Sequence, residues 1–363
     1  MIIIALVNIV YEGKDITRDI APFITAFTFT DNSGGQSDDI SLTLQDRGSL
    51  WLNDWTPSKG DTIQAAIIED VASLRCGAFE TDEISYSMPP HILTIKAVSC
   101  AVRKNSRWEN HNRSWENTTL HEIASDIAQS AGLSLFYDAE DFPVDRREQT
   151  HTADLPFIEE LCRSYGLSVK VSDEKLIIFS EEDYSGHDAQ LIITPDDTRL
   201  ISARFTSKSA EIFRKAHVRY HHPVKDEVYE AEYEDECTEG SGRELEVYER
   251  VDSNEQALSV AKGTLSRVNS REITASLTLK GSPDFCAGVN VMLDGFGMFS
   301  GKYFIDKASH SAGISGWTVS LSLKMGGEAK KSVKKYKAHS RVKVPTSTAS
   351  QGGVLLADDS EGY

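Results

Sequence analysis

Basic residues are in short supply in this 363-residue chain: 38 Lys and Arg face 56 Asp and Glu, a formal charge of −18. A surface of that sign repels nucleic-acid phosphate and anionic lipid headgroups, which argues against specific nucleic-acid binding and membrane insertion. Cysteine is also sparse. The five, at positions 76, 100, 162, 237 and 286, are scattered and odd in number with no CxxC pair, which speaks against a disulfide scaffold or a zinc site and fits a chain made in reducing cytosol. No apolar run is long enough to span a bilayer. The opening MIIIALVNIV has no basic leader and no small-residue cleavage site, and reads as a buried first strand. In that setting the sequons at Asn112 and Asn117 are accidental. GxSxG, HExxH, Walker and Rossmann glycine motifs are missing as well, which removes the enzyme classes that depend on them.

What the chain has in quantity is alternation. ITAFTFTD (24–31), DDISLTLQD (38–46), TIQAAII (62–68) and ILTIKAV (92–98) each place apolar side chains on one face at period two, the pattern of a small antiparallel barrel or sandwich. After residue 110 the period changes. TTLHEIASDIAQSAGL predicts a helix with Thr119 as N-cap, Glu122 completing a capping box, Leu120, Ile123, Ile127 and Ala131 on one face, and Gly132 at its end. ADLPFIEELCRSYG predicts a second, with Asp154 as cap, a stripe of Ile158, Leu161, Cys162 and Tyr165, and Gly166 as stop. A hairpin of LSVKV and KLIIF follows. Strands return with AHVRYHH and EVYEAEYEDE, and one helix capped by Ser253 and Gln256 turns Leu258, Ala261, Leu265 and Val268 inward. Beyond Met325 the periodicity is lost. The expected fold is α+β, mainly β: two similar antiparallel β-barrel domains at 1–110 and 186–325, an inserted small α/β domain at 111–185, and an extended C-terminal arm at 326–363.

One stretch occurs twice in outline. In CGAFETDEIS an aromatic, an aspartate and a serine follow Gly77 as Phe79, Asp82 and Ser85; in SGKYFIDKAS the same spacings from Gly301 give Tyr303, Asp306 and Ser309. Alternating runs begin at Leu93 and Trp317, at equal distances from the two glycines, and glycine-led runs, GDTIQAAI and GVNVMLDG, precede each copy. This order predicts one supersecondary unit used twice. Charge is uneven too. Residues 226–255 hold thirteen Asp/Glu and two Lys/Arg, whereas 324–343 hold eight Lys/Arg and one Glu, so the two segments could attract across a subunit boundary, or both simply be solvated.

Candidate chemistry is thin. The run SHS at 309–311 offers a serine and a histidine on a predicted hairpin loop with no carboxylate to orient them. His217, His221 and His222 with Asp226 and Glu227 are potential metal donors, yet on a strand His217 and His221 stand about 13 Å apart, too far for one ion. Glu159 and Glu160 point in adjacent directions on a helix and make a poor glycosidase pair. Trp51, Trp55, Trp108, Trp115 and Trp317 could stack on sugars but fit cores or subunit contacts better. No catalytic residue, metal ligand or cofactor-binding residue is assigned, and no enzyme activity is expected.

FTFTDNSGGQSDDISLTLQD, GAFETDEIS, SRWENHNRSWENTTLHEIASDIAQSAGL and QTHTADLPFIEELCRSYGLSVKVSDEKLIIF, in this order and spacing, resemble the late control protein D family of phage tail proteins, over nearly the whole chain up to about 325. The resemblance implies the structural hub of a contractile tail baseplate, related to the hub part of type VI secretion spike proteins. Each subunit of that family carries two similar β-barrels, and a homotrimer forms a six-barrel ring that adapts the threefold spike to the sixfold tail tube. The implied partners are the central spike protein, the tail tube protein and other baseplate proteins, with tape measure protein as a further candidate. The implied location is a virion or phage-tail-like particle, after synthesis in the bacterial host cytoplasm. The chain lacks the fused lysozyme or needle of larger relatives, so the spike is expected to be a separate protein. The competing readings are a tail-associated cell-wall (murein) hydrolase, which needs converging carboxylates in a cleft, and a carbohydrate-binding module, which needs exposed tryptophans along one groove.

Overall fold

Period-two alternation in the first hundred residues becomes a strand system with one buried face. A computed structural model describes residues 5–53, 55–99, 109–172, 174–208, 212–222, 226–235, 243–313 and 316–325. Cys100, Trp108, Cys237 and the basic arm 326–363 lie outside the described residues. The chain opens with β1 (Leu6–Tyr11), β2 (Lys14–Asp15), the single turn α1 (Thr17–Ile20), β3 (Ile24–Asn32), β4 (Asp39–Gln45), β5 (Thr62–Glu69), β6 (Ala72–Ser87) and β7 (Ile92–Ser99). Hydrogen bonds order the strands β3-β4-β7-β6-β5-β1-β2. Phe27, Ile40, Leu42, Leu44, Ile63, Ile67, Phe79 and Leu93 fill the face they enclose, each nearly inaccessible to solvent.

The next unit mixes helices and strands: β8 (Asn110–Thr119), α2 (Leu120–Ala131), β9 (Ser134–Asp138), β10 (Pro143–Ala153), α3 (Asp154–Arg163), β11 (Ser168–Ser172), β12 (Lys175–Phe179) and α4 (Glu181–Gly186). β8 pairs with β10, and β12 lies between β11 and a parallel β9. Thr119 caps α2 through the Glu122 amide, and Gly132 ends it in the left-handed conformation at φ 73°, as expected for a residue without a Cβ. The Glu122 carboxylate does not close the capping box, because it accepts from the Thr118 hydroxyl at 2.6 Å. The expected stripe of α3 is buried: Ile158, Leu161, Cys162 and Tyr165 all join the core of this unit. Asp154, however, is not the cap. Ala153 holds that position, while the fully buried Asp154 carboxylate accepts from Arg113 at 3.2 Å and from Gln149 at 2.9 Å, tying α3 to β8 and β10.

The second strand system comprises β13 (Leu191–Ile193), β14 (Leu200–Ser207), β18 (Ile273–Lys280), β19 (Asn290–Leu293), β20 (Gly301–Gly313) and β21 (Gly316–Met325). Its hydrogen-bonded order is β14-β18-β21-β20-β19-β13. Between β14 and β18 the chain leaves this sheet for β15 (Lys215–His222), β16 (Glu227–Glu234), β17 (Glu244–Val247) and α5 (Asn254–Asn269). These form a separate three-stranded layer covered by the helix. Ser253 caps α5 as the sequence predicts, and Ala261 and Leu265 of the expected stripe are buried, but Ala257 and Val260 complete it: Val268 is half-buried, and Leu258 faces out at 46% exposure. Hydrophobicity alone favours Leu258, whereas the strands beneath select the small side chains that allow close approach.

Strand pairing and a close glycine contact are among the contacts that join these units. The second half of β20 pairs with β3, from Lys307 opposite Asn32 to Gly313 opposite Ala26, merging both strand systems into one 13-stranded sheet. The sequence-based expectation of two barrels did not include this seam. Elsewhere α5 lies against the end of α3 through glycines, and a Cβ on Gly263 would stand 2.7 Å from the Gly166 Cα. Gly263→Ala is therefore expected to destabilise the fold by about 1–3 kcal/mol through overpacking. Alanine in a helix interior otherwise gains about 1 kcal/mol over glycine, so the sign of the change in urea denaturation checks the contact.

Candidate functional site

The eight residues singled out from the sequence lie at matching places on two long strands. Phe79 and Tyr303 are buried inward-facing side chains on β6 and β20. Each strand pairs first with the glycine-led strand before it and then with the strand after it. Asp82 and Asp306 are both extra residues in β-bulges: the register opposite β7 shifts between Thr81 and Glu83, and that opposite β21 shifts between Ile305 and Lys307. Beside each bulge the same hydrogen bonds recur. Gly60 donates to the Thr81 carbonyl at 2.8 Å and Gly288 to the Ile305 carbonyl at 2.9 Å, while the amides of Thr81 and Ile305 donate to Asp61 and Val289, both at 2.9 Å. Gly60 and Gly288 share a positive φ, 82° and 88°, a conformation glycine adopts without strain. Ser85 and Ser309 follow on the hairpins, opposite Thr94 and Ser320.

A further correspondence lies in a short run of ordinary strand composition. Ser-Leu-Thr-Leu occurs at 41–44 in β4 and at 276–279 in β18. Leu42 lies opposite Ile95 and Phe27, and Leu277 lies opposite Leu321 and Ala203. The outer strands β3 and β14 each carry a bulge at the matching place, between Ile24 and Ala26 and between Leu200 and Ser202.

Several buried polar groups gather at the seam between β3 and β20. His310 is in mid-strand rather than on a loop, so the SHS run is not an exposed serine–histidine pair. Its ring stacks on Phe29 at 6.0 Å, its Nε2 lies 3.0 Å from the Phe285 carbonyl, and its Nδ1 accepts from the Trp317 indole at 3.2 Å. Burial lowers the His310 pKa to about 4, so the ring is neutral there. Nearby, Lys170 from β11 reaches Asp31 and stands 3.4 Å from Asp38. Asp31 also accepts from the Ala287 amide at 2.8 Å, so one carboxylate links all three units. Burial raises Asp38 to about 6, with Lys170 opposing and Asp31 reinforcing the shift. For Lys170, burial acts downward and the two carboxylates outweigh it, holding the amine above its ordinary value.

The other candidate constellations are internally engaged. His217 lies between Glu230 at 2.7 Å and Glu246 at 3.2 Å, and His221 faces Asp226 at 3.0 Å. Among the described residues no group of three or more His, Cys, Asp or Glu is placed to hold a metal ion. Glu159 pairs with Arg163 one turn along α3, at 3.5 Å. Trp51 and Trp317 are buried, and Trp115 stacks on Phe157 at 5.5 Å. Trp55 is 42% exposed and does not define a groove by itself.

No family model matches the chain. A probable baseplate hub protein of Escherichia phage 186 is 32% identical over 172 residues, 46% of this chain and 42% of the relative. The chain is similar to phage baseplate hub proteins. In that match it spans less than half the length of the curated relative. Among solved structures, a 43 kDa tail protein of prophage MuSo2 from Shewanella oneidensis shares the fold at a TM-score of 0.65 and 16% identity, covering 90% of this chain and 99% of that one. The E. coli c3393 protein, described as a type VI secretion component with structural similarity to T4 tail proteins gp27 and gp5, shares it at a TM-score of 0.51 and 11% identity, over 83% of this chain and 73% of that one. The mainly β tail-protein fold expected from the sequence is thus the fold of the chain.

The seam makes opposed contributions to stability in mild acid. Asp38 binds its proton more tightly folded than unfolded, so its contribution is full below about pH 4 and lost as pH rises through about 6. His310 binds its proton less tightly folded, so its contribution is full above about pH 6.5 and lost as pH falls through about 4. In Asp38→Asn only the second effect remains. Between pH 4 and 6.5 the stability of this variant is expected to rise with pH more steeply than that of the parent, by on the order of 2–3 kcal/mol across the window. Denaturation midpoints for both proteins across this range test the sign.

Proposed function

We propose that this protein is a structural, noncatalytic baseplate hub of a contractile phage tail or phage-tail-like particle, and that three copies form the ring between a threefold spike and a sixfold tube. The observation that carries the reading is the recurrence, within one chain, of five strands in the same hydrogen-bonded order and orientation with bulges at matching places, while the sixth strand is antiparallel in the first system and parallel in the second. On this reading the region 1–110 and the region 186–325 are the two hub barrels. Residues 111–185 form the insertion between them, and Gly77, Phe79, Asp82 and Ser85 correspond to Gly301, Tyr303, Asp306 and Ser309. A chain carrying two like units lets a trimer offer six near-equivalent faces. Similarity to a probable baseplate hub protein supports the assignment. The proposed partners are the spike, the tube protein and neighbouring baseplate proteins, and the proposed location is the tail baseplate. The murein-hydrolase reading draws no support from Glu159, which is engaged by Arg163.

The expected outcome in light scattering is a particle near three times 40.2 kDa, formed by the chain alone or on addition of its spike protein. A chain that stays monomeric with both spike and tube protein present would overturn the proposal.

A further inference from the structure

The seam inside the chain leaves two matching edges unused, and we propose that they pair with each other between copies: β14 of one copy adds to the second half of β6 of the next. The proposal rests on the ring reading above and names the contact that would build it. β20 hydrogen-bonds to β19 at its start and, along 307–313, to β3. β6 hydrogen-bonds to β5 along 72–80, but along 82–87, where β20 has β3, it pairs among the described residues only with β7 on its other side. The counterpart of β3 in the second strand system is β14, and among the described residues β14 pairs with β18 alone. One chain therefore contains a joined pair, β3 with β20, and two strands left open among the described residues that would repeat the join, β14 and β6. An open strand edge is a template for another strand.

The register follows from the strands on either side. Leu42 and Leu277 set Phe27 equivalent to Ala203 and Phe29 equivalent to Phe205. Ile84 opposite Ile95 and Ala308 opposite Leu321 set Ser87 equivalent to Ser311. Inside the chain Ser311 faces Thr28, His310 faces Phe29 and Ala312 faces Phe27. Between copies Ser87 then faces Arg204, Tyr86 faces Phe205 and Met88 faces Ala203. Lys307 opposite Asn32 becomes Glu83 opposite Lys208, a pair of opposite charge.

Burial agrees with this assignment. At the joined seam Ala312 and Trp317 are each 3% exposed, and both belong to the first core. Their counterparts at the open edge, Met88 and His91, are exposed, Met88 at 64%. The hydrogen-bonded aromatic pair is nevertheless already formed: Tyr86 and His91 meet at 2.9 Å, as His310 and Trp317 do at 3.2 Å. On the facing edge Ala203 is exposed and Phe205 half-buried, whereas their counterparts at the joined seam, Phe27 and Phe29, are buried. The open edges thus expose apolar side chains at the positions the closed seam covers, which is the pattern of an interface awaiting a copy of itself.

Paired cysteines test the register. A chain carrying Ser87→Cys and Arg204→Cys is oxidised with copper–phenanthroline, with Met88→Cys plus Ala203→Cys as the neighbouring pair, because adjacent pairs alternate between wider and closer spacing. Thr28→Cys with Ser311→Cys, at the existing seam, is the internal positive control, and the parent chain gives the background from native thiols. A reducible ladder of linked chains ending at three is expected from at least one inter-copy pair. Ser85→Cys with Arg204→Cys, a diagonal pair beyond disulfide reach, is expected to give none. A three-chain particle that gives no ladder while the control pair links would overturn the strand pairing and leave the hub reading standing. A ladder running past three would support the pairing and refute the ring of three. A monomer with no ladder, with spike and tube protein present, would refute both.

Discussion

Backbone hydrogen bonds at a strand edge must be satisfied somewhere, and the pairing of β20 with β3 is the constraint on which the rest of this molecule depends. It joins residues far apart in the chain and places Trp317 of the second strand system in the core of the first. The neighbouring strand must yield to admit that ring: a Cβ on Gly281 would stand 2.1 Å from Trp317. The seam is therefore specified by side-chain shape as well as by backbone pairing. That combination distinguishes a fixed internal joint from an accidental contact between two edges.

Beside the seam, one lysine serves two buried carboxylates. Removing three charges from water costs more than a single close ion pair returns unless further hydrogen bonds satisfy the acids. Here they are present: the Asn32 amide donates to Asp38 at 2.9 Å, and the Ala287 amide donates to Asp31. The upward shift of Asp38 expresses the remaining imbalance, since a proton on that carboxyl leaves Lys170 and Asp31 as a neutral pair. The group is better understood as a registration device than as a source of stability. It is made of residues from the first strand system and the α/β unit, and it grips the backbone of the second strand system through Ala287, so each part finds its partners only when all three are in place.

Local pattern in the sequence was readable where one face of an element is buried against its own neighbours. The four alternating runs of the first hundred residues are β3, β4, β5 and β7, and the caps at Thr119 and Ser253 are where the composition puts them. What escaped was set by distant chain. The run Asn110–Thr119 forms a strand although its side chains are polar and half-exposed, because β10 supplies its partner. Asp154 looks like a cap until Arg113 and Gln149 claim its carboxylate. His310 looks like a loop residue because nothing local reveals that Phe29 and Trp317 will enclose it. The repeated glycines and aspartates were legible since a bulge needs an extra residue at a fixed place, whereas the Ser-Leu-Thr-Leu match was hidden by ordinary strand composition.

The differences between the two strand systems carry as much information as the likenesses. At the covered seam the polar partner of the aromatic pair is a neutral histidine beneath Phe29, and the outer member is a large indole that fills the neighbouring core. At the open edge a tyrosine and a histidine meet instead, and the tyrosine hydroxyl also donates to Asp46 at 2.7 Å. A side chain permanently enclosed can give up its charge and its contact with water, whereas one that must remain soluble before assembly needs a hydroxyl or an ionisable ring at its tip. On the proposed reading, divergence after duplication followed that division. The internal joint became apolar and fixed, and its external counterpart kept enough polarity to wait in water until a second copy arrives.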